Sequence, residues 1–205
     1  MINDKYQAVL FDFDGVLCHD RFYDATFLAD RPEVCAWVNT NVFTDKELTR
    51  QWMRGQLSSL EINEFVADGI GMDLNELSVK FDDSIRAMRL DHRLKELAGS
   101  LAERGIKVGI VTDNMDVFSS ITVPHHGLND IFDVVVNSSE YGMLKQDENG
   151  KLFDVALSAL DVGIENALHI DDSPRTVELF RQNGGHGFLY KDFDELAKFL
   201  GYEIQ

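Results

Sequence analysis

Cysteine is scarce: Cys18 and Cys35 are the only two in 205 residues. Two are too few for a disulfide scaffold and suit a reducing compartment. Proline occurs only at positions 32, 124 and 174, and no low-complexity stretch or internal repeat marks a linker. No apolar run approaches the ~18 residues needed to span a bilayer. The polar start, Met1–Tyr6, carries no signal-peptide pattern. Positive charge is short as well. Lys plus Arg number 19 against 36 Asp plus Glu, a formal net charge of −17. Nucleic acid and anionic membranes are therefore disfavoured as partners, because both need positive surface. An open site for anions is disfavoured too, unless a local cation reverses the field. The expectation is a cytoplasmic protein, monomeric or homodimeric.

What is present reads as an ordinary globule, with 44% hydrophobic and 27% charged residues. A chain this long buries roughly 70% of its unfolded surface and needs no staples. Short apolar runs of strand length fall at Ala8–Phe13, Lys107–Thr112, Asp133–Asn137, Ala167–Ile170 and His186–Tyr190. They alternate little between polar and apolar, as strands covered on both faces do. Leu94, Leu97 and Leu101 repeat at helical spacing before the second run, and Phe153, Ala156, Leu157 and Leu160 before the fourth. Leu196 and Leu200 follow the fifth, and Ser173-Pro174 has the form of a helix start. Alternating strands and helices predict a parallel α/β sheet.

One segment breaks the alternation. Residues 18–90 contain no convincing strand. Ile62, Phe65 and Val66, then Leu74, Leu77, Phe81, Ile85 and Met88, mark two amphipathic helices. Ser58 with Glu61, and Asp73 with Glu76, have capping-box spacing. Thr44–Arg54 predicts a further helix. The expected organisation is a core of residues 1–17 and 91–205, interrupted by an all-helical insertion over 18–90.

Ligands of parallel α/β sheets bind at the carboxyl ends of the strands, and three of these ends carry reactive groups. The first reads Phe11-Asp12-Phe13-Asp14-Gly15, where period-2 geometry places Asp12 and Asp14 on one side. The second ends Val111-Thr112-Asp113-Asn114 and the fourth Ile170-Asp171-Asp172, with Lys145 between the third and fourth runs. Each pair of like charges about 4 Å apart costs about 4 kcal/mol near a surface. A hard divalent cation and a lysine would relieve the repulsion. Oxygen-only ligands favour Mg²⁺ over zinc or copper, and a Mg²⁺ site suits phosphoryl chemistry. Any one Asp-rich strand end is better explained as a turn or cap. The ordered set is harder to obtain that way.

With Asp12-Phe13-Asp14-Gly15-Val16, Thr112, Lys145 and Asp171-Asp172 in this order, the chain resembles the haloacid dehalogenase (HAD) superfamily over nearly its whole length. The resemblance implies a Rossmann-like core with the first strand central and a helical cap at 18–90. It also implies a phosphatase-like member, because dehalogenase-like members lack an acid at the position of Asp14. A phosphate ester leaving as an alkoxide needs a proton, whereas a halide does not. By this resemblance Asp12 is the nucleophile and Asp14 the general acid, then base. Thr112 hydrogen-bonds a phosphoryl oxygen and Lys145 offsets negative charge. Asp12, Asp171 and the carbonyl of Asp14 hold Mg²⁺, while Asp172 orients a metal-bound water or assists directly. The substrate expected is a small phosphorylated metabolite.

Two departures stand out. Lys145-Gln146-Asp147 replaces the usual Lys-Pro-Asp, and Glu148-Asn149-Gly150-Lys151 predicts a tight turn. Lys145 keeps the family's spacing from Gly142, with Lys151 as competitor. Asp113 stands where Asn is commoner, so Asp113 and Asn114 share a candidate substrate-binding role, with Arg54 a further candidate in the cap. Trp37 and Trp52 are expected in the core, and Cys18 as a small apolar filler. His125 and His126 are expected at the surface, and His19 and Asp20 either face the site or serve as flap and helix cap. A phosphomutase-like transferase is the nearest alternative activity. A receiver-like phospho-acceptor fits poorly, because the third run ends without a carboxylate.

Overall fold

The computed structural model describes residues 5–202. Five parallel strands form one sheet: β1 (Ala8–Phe11), β2 (Lys107–Thr112), β3 (Val134–Asn137), β4 (Ala167–Asp171) and β5 (His186–Leu189). Their order is β3-β2-β1-β4-β5, so the first strand is central. Val9 pairs with Val108 on one side and Leu168 on the other. These registers bring the carboxyl ends of β1, β2 and β4 level, beside the point where the strand order reverses.

Side chains alternate across β1. Val9 and Phe11 enter the larger apolar cluster, while Ala8 and Leu10 enter the smaller one on the opposite face. Both faces are buried, which is why the strands read as near-continuous apolar runs.

Between β1 and β2 every regular element is helical. The helices are α1 (Asp24–Phe27), α2 (Pro32–Val38), α3 (Lys46–Met53), α4 (Ser59–Ile70), α5 (Leu74–Arg86) and α6 (His92–Glu103). Ser58 and Glu61 form a complete capping box, and Asp73 caps α5 through the Glu76 N–H. α1 and α2 have no counterpart in the expected helices. Neither is preceded by a side chain that caps it, and only α2 carries another start signal, Pro32 at its first position. A π-helical turn, Asn39–Phe43, joins α2 to the loop before α3. The segment leaves and rejoins the sheet at one place: Cys18 pairs antiparallel with Leu90, and the Asp91 N–H donates to the Leu17 carbonyl at 2.9 Å. Asp20 clamps this neck by accepting three hydrogen bonds from Arg89.

The remaining helices follow the strands: α7 (Val123–His125), α8 (Ser138–Tyr141), α9 (Lys151–Leu160), α10 (Pro174–Gln182) and α11 (Phe193–Leu200). The turn expected over residues 148–151 is present, with Glu148, Asn149 and Gly150 all at positive φ. Trp52 is fully buried in the larger cluster, which runs from the helical segment into the sheet, and Trp37 packs against its edge. His126, expected at the surface, is half-buried, with its Nε2 enclosed. Among the described residues no helix is long and apolar enough to cross a membrane.

Candidate active site

β1 delivers its acids where the pleat requires. Phe13 is buried in the apolar cluster, and Asp12 and Asp14 turn the other way into a cavity of about 750 Å³. Gly15 then leaves the strand at φ +78°, and a Cβ there would stand 2.2 Å from Asp172 Oδ2. Only glycine lets the first strand's exit and the fourth strand's exit come this close.

Lys145 anchors the floor. Its Nζ lies 2.7 Å from Asp12 Oδ2 and 2.7 Å from Asp171 Oδ2, and all three side chains are buried. Asp171 Oδ2 also meets His169 Nε2 at 2.9 Å, and Asp171 Oδ1 accepts the Ser173 N–H at 2.7 Å. Asp113 Oδ1 accepts the Lys145 N–H at 2.7 Å. Lys151, the competitor for the lysine role, pairs with Glu148 at the surface.

Burial disfavours charge on every group here, and the neighbours decide the outcome. Burial works against the Lys145 ammonium, but Asp12, Asp171 and Asp113 outweigh it and hold the group above lysine's usual value. Burial likewise opposes the Asp171 carboxylate, yet His169 and Lys145 keep it below the ordinary range. Asp12 goes the other way: burial, helped by the charge on Asp171, pushes it well up despite Lys145. Asp14 is exposed on the cavity wall; the solvation it loses to the surrounding protein, opposed by Lys145 and helped by Asp172, raises it to about 7. Asn114 donates its Nδ2–H to Asp14 Oδ2 at 3.1 Å.

Asp12, Asp171 and Asp172 each offer a carboxylate oxygen, all within 4.8 Å of one another. The donor set is oxygen-only, and a divalent cation would offset the burial and the repulsion from Asp171 that together raise Asp12. These residues fit a hard cation such as Mg²⁺. Asp171 accepts from Lys145 at Oδ2 and from the Ser173 N–H at Oδ1, which leaves acceptor capacity on Oδ1, whereas Asp172 is exposed along the cavity wall.

The cavity therefore gathers Asp12, Asp14, Asp113, Lys145, Asp171 and Asp172. Thr112, Asn114 and Arg54 do not line it. The Thr112 hydroxyl is buried beneath with no partner in the structure. Asn114 serves Asp14 from behind. Arg54, expected at the substrate, instead forms a bidentate pair with Asp147 at 2.8 and 2.9 Å. His19 and Asp20 both face the cavity, which leaves Asp20 two roles, wall and neck clamp. Cys18 is buried, and its thiol is pushed up to about 12, as suits a filler rather than a nucleophile.

Residues 6–184 match the family model of haloacid dehalogenase-like hydrolases. The chain belongs to this family. Among curated relatives it is 28% identical over 160 residues to pyrimidine 5'-nucleotidase YjjG of Escherichia coli strain K12, covering 72% of this chain. The match spans 65% of that relative's length. Three solved structures share the fold. A predicted HAD-like family hydrolase from Porphyromonas gingivalis superposes with a TM-score of 0.75 at 19% identity, covering 98% of this chain and 100% of that one. An HAD family enzyme from Bacteroides thetaiotaomicron, solved in complex with magnesium and inorganic phosphate, gives 0.66 at 16% identity, covering 93% and 98%. L-2-haloacid dehalogenase from Xanthobacter autotrophicus gives 0.66 at 17% identity, covering 89% and 76%.

For this HAD-like hydrolase, sequence reasoning missed two groups. His169 shares a strand face with Asp171 at period 2, a signal that was available. Phe22, Asn39, Phe43, Thr49 and Met53 bring the helical segment to the cavity wall. Asn39 and Phe43 arrive through the π-helical turn, for which the sequence carries no marker.

Proposed function

We propose that this HAD-like hydrolase is a Mg²⁺-dependent phosphatase acting in the cytoplasm on a small phosphorylated metabolite through an aspartyl-phosphate on Asp12. The observation that carries the reading is the placement of Asp14: a carboxyl on the same cavity as Asp12, oriented by Asn114 at 3.1 Å, and raised above the ordinary carboxylate range by the protein around it. An alkoxide leaving group needs such a proton donor near neutral pH. A halide does not, so a residue placed and tuned as Asp14 is favours phosphate over carbon–halogen chemistry, despite the shared fold with a dehalogenase.

Asp12 attacks phosphorus, and the bond to the leaving oxygen breaks as Asp14 gives that oxygen its proton. Asp14, now ionised, takes a proton from water as the water attacks the phosphorus of the acyl phosphate, which restores Asp12 and frees inorganic phosphate. Lys145 stays charged throughout and balances the phosphoryl oxygens against Asp12 and Asp171. Asp12, Asp171, Asp172 and the Asp14 carbonyl would hold Mg²⁺, which would supply charge neutralisation at the phosphoryl group. Residues 18–90 act as the cap that excludes water from the cavity. The nucleotidase relative, at 28% identity, supports a nucleoside monophosphate within the substrate class.

The test is inorganic phosphate release from a panel of phosphomonoesters, nucleotides included, with and without Mg²⁺. The reading expects release only with Mg²⁺ and none from Asp12→Asn. Phosphate release by Asp12→Asn at the wild-type rate would overturn the nucleophile. Isomerised product without free phosphate would favour the phosphomutase-like alternative.

A further inference from the structure

The C-terminal end of α3 meets the catalytic loops at two points. At the first, the Arg54 guanidinium holds both oxygens of Asp147, with the pair half-buried. Asp147 is in turn the closing residue of a turn. Its Oδ2 accepts the Leu144 N–H at 2.9 Å, and its own N–H donates to the Leu144 carbonyl at 2.9 Å. Lys145 sits inside that turn. At the second point the Ser138 hydroxyl donates to the Met53 carbonyl at 2.6 Å and accepts the Asn114 N–H at 2.9 Å. Asn114 is the residue that orients Asp14. Gly55, at φ +64°, lets the chain pass the Ser139 carbonyl, which a Cβ would approach to 2.4 Å.

A lone surface ion pair contributes little. This one differs in geometry and in placement. It is bidentate, so it fixes orientation as well as distance. It also joins the helical insertion to the turn whose lysine must reach two buried carboxylates at once.

We propose that Arg54 is a positioning residue: through Asp147 it holds the Lys145 turn in register with Asp12, so that seating of the insertion sets where the Lys145 ammonium stands. The kinetic part rests on the phosphatase reading; the structural part does not. Four variants test it, each saturated with Mg²⁺ and assayed on para-nitrophenyl phosphate: Arg54→Ala, Arg54→Lys, Asp147→Asn, and Arg54→Ala combined with Asp147→Asn. Amide hydrogen exchange across residues 144–150 is followed in parallel. The expected result is a kcat lower by about 10- to 100-fold in Arg54→Ala and in Asp147→Asn, with KM within about twofold. The double variant should be no worse than either single one. Arg54→Lys should fall between, because an ammonium cannot make the bidentate grip. Exchange in the turn should quicken in every variant.

A raised KM with kcat retained in Arg54→Ala but not in Asp147→Asn would place Arg54 on the substrate and overturn the proposal. Unchanged kcat with only a lowered thermal midpoint would overturn it by making the pair structural. Unchanged exchange in the turn would overturn it too. Should the wild type release no phosphate from any ester, the phosphatase reading falls, and the exchange data alone still decide the coupling.

Discussion

Asn114 Nδ2 lies 3.1 Å from Asp14 Oδ2, linking the end of β2 to the acid that follows β1 across 100 residues of sequence. Asn114 is wholly buried, so this amide is a fixed support rather than a surface contact. Removing it should misplace Asp14 without touching Asp12. Asn114→Ala is expected to slow hydrolysis of alkyl phosphates by about 10- to 100-fold. Aryl phosphates, whose leaving groups need less protonation, should lose less. Asp14→Asn should show the same ordering with larger losses. Paired kcat measurements on glycerol phosphate and para-nitrophenyl phosphate check this; equal losses on both would contradict an acid role.

The two lysines near the third strand should separate cleanly by stability. Lys145 is buried between Asp12 and Asp171, so Lys145→Met leaves buried carboxylates without their cation. Breaking a buried pair from one side costs about 3–5 kcal/mol. Lys151 pairs with Glu148 in solvent, and Lys151→Ala should stay within about 0.5 kcal/mol of the parent. Urea unfolding of both variants without Mg²⁺ measures the difference. Comparable losses would mean that the lysine assignment is mistaken.

Stability should also depend on pH in a way that Mg²⁺ reverses. Burial raises Asp12 and brings Asp14 to about 7 in the protein without cation. Folding therefore takes up protons at these acids. Their contribution is fully present below the unfolded value of about 4 and is lost as pH rises through the folded values. Asp171, held low by His169 and Lys145 against its burial, stays ionised across this range and leaves the slope alone. Mg²⁺ competes with the protons, so its thermal stabilisation should be larger at about pH 8 than at about pH 6. Thermal unfolding at both values, with and without MgCl₂, provides the comparison. A shift independent of pH would show that the acids are not the metal's ligands.

Much of the core was legible in the sequence because its signals are local. The five strands announce themselves as Val- and Ile-rich runs covered on both faces, and Ser58–Glu61 marks a helix start by spacing alone. The alternation of Phe11 and Phe13 with Asp12 and Asp14 already says which way the acids point. The helices at 24–27 and 32–38 were not read, since Tyr23 and Arg31 precede them without capping them and Pro32 alone, without a cap before it, is a weak start signal. Arg54 illustrates the other limit. Its partner Asp147 lies 93 residues away, and nothing local distinguishes a guanidinium that meets substrate from one that grips a turn. Thr112 has the expected strand position, but its buried, unpartnered hydroxyl depends on packing that no spacing rule contains.

The account turns on a covalent bond between phosphorus and one particular carboxylate. Rapid quenching during steady turnover, followed by borohydride, reduces an acyl phosphate to an alcohol, and peptide mass spectrometry then locates the modified carboxyl. The account predicts Mg²⁺-dependent reduction at Asp12 and none at Asp14, Asp113 or Asp171. Reduction at another of these carboxylates, or phosphate released with none of them modified, would contradict it.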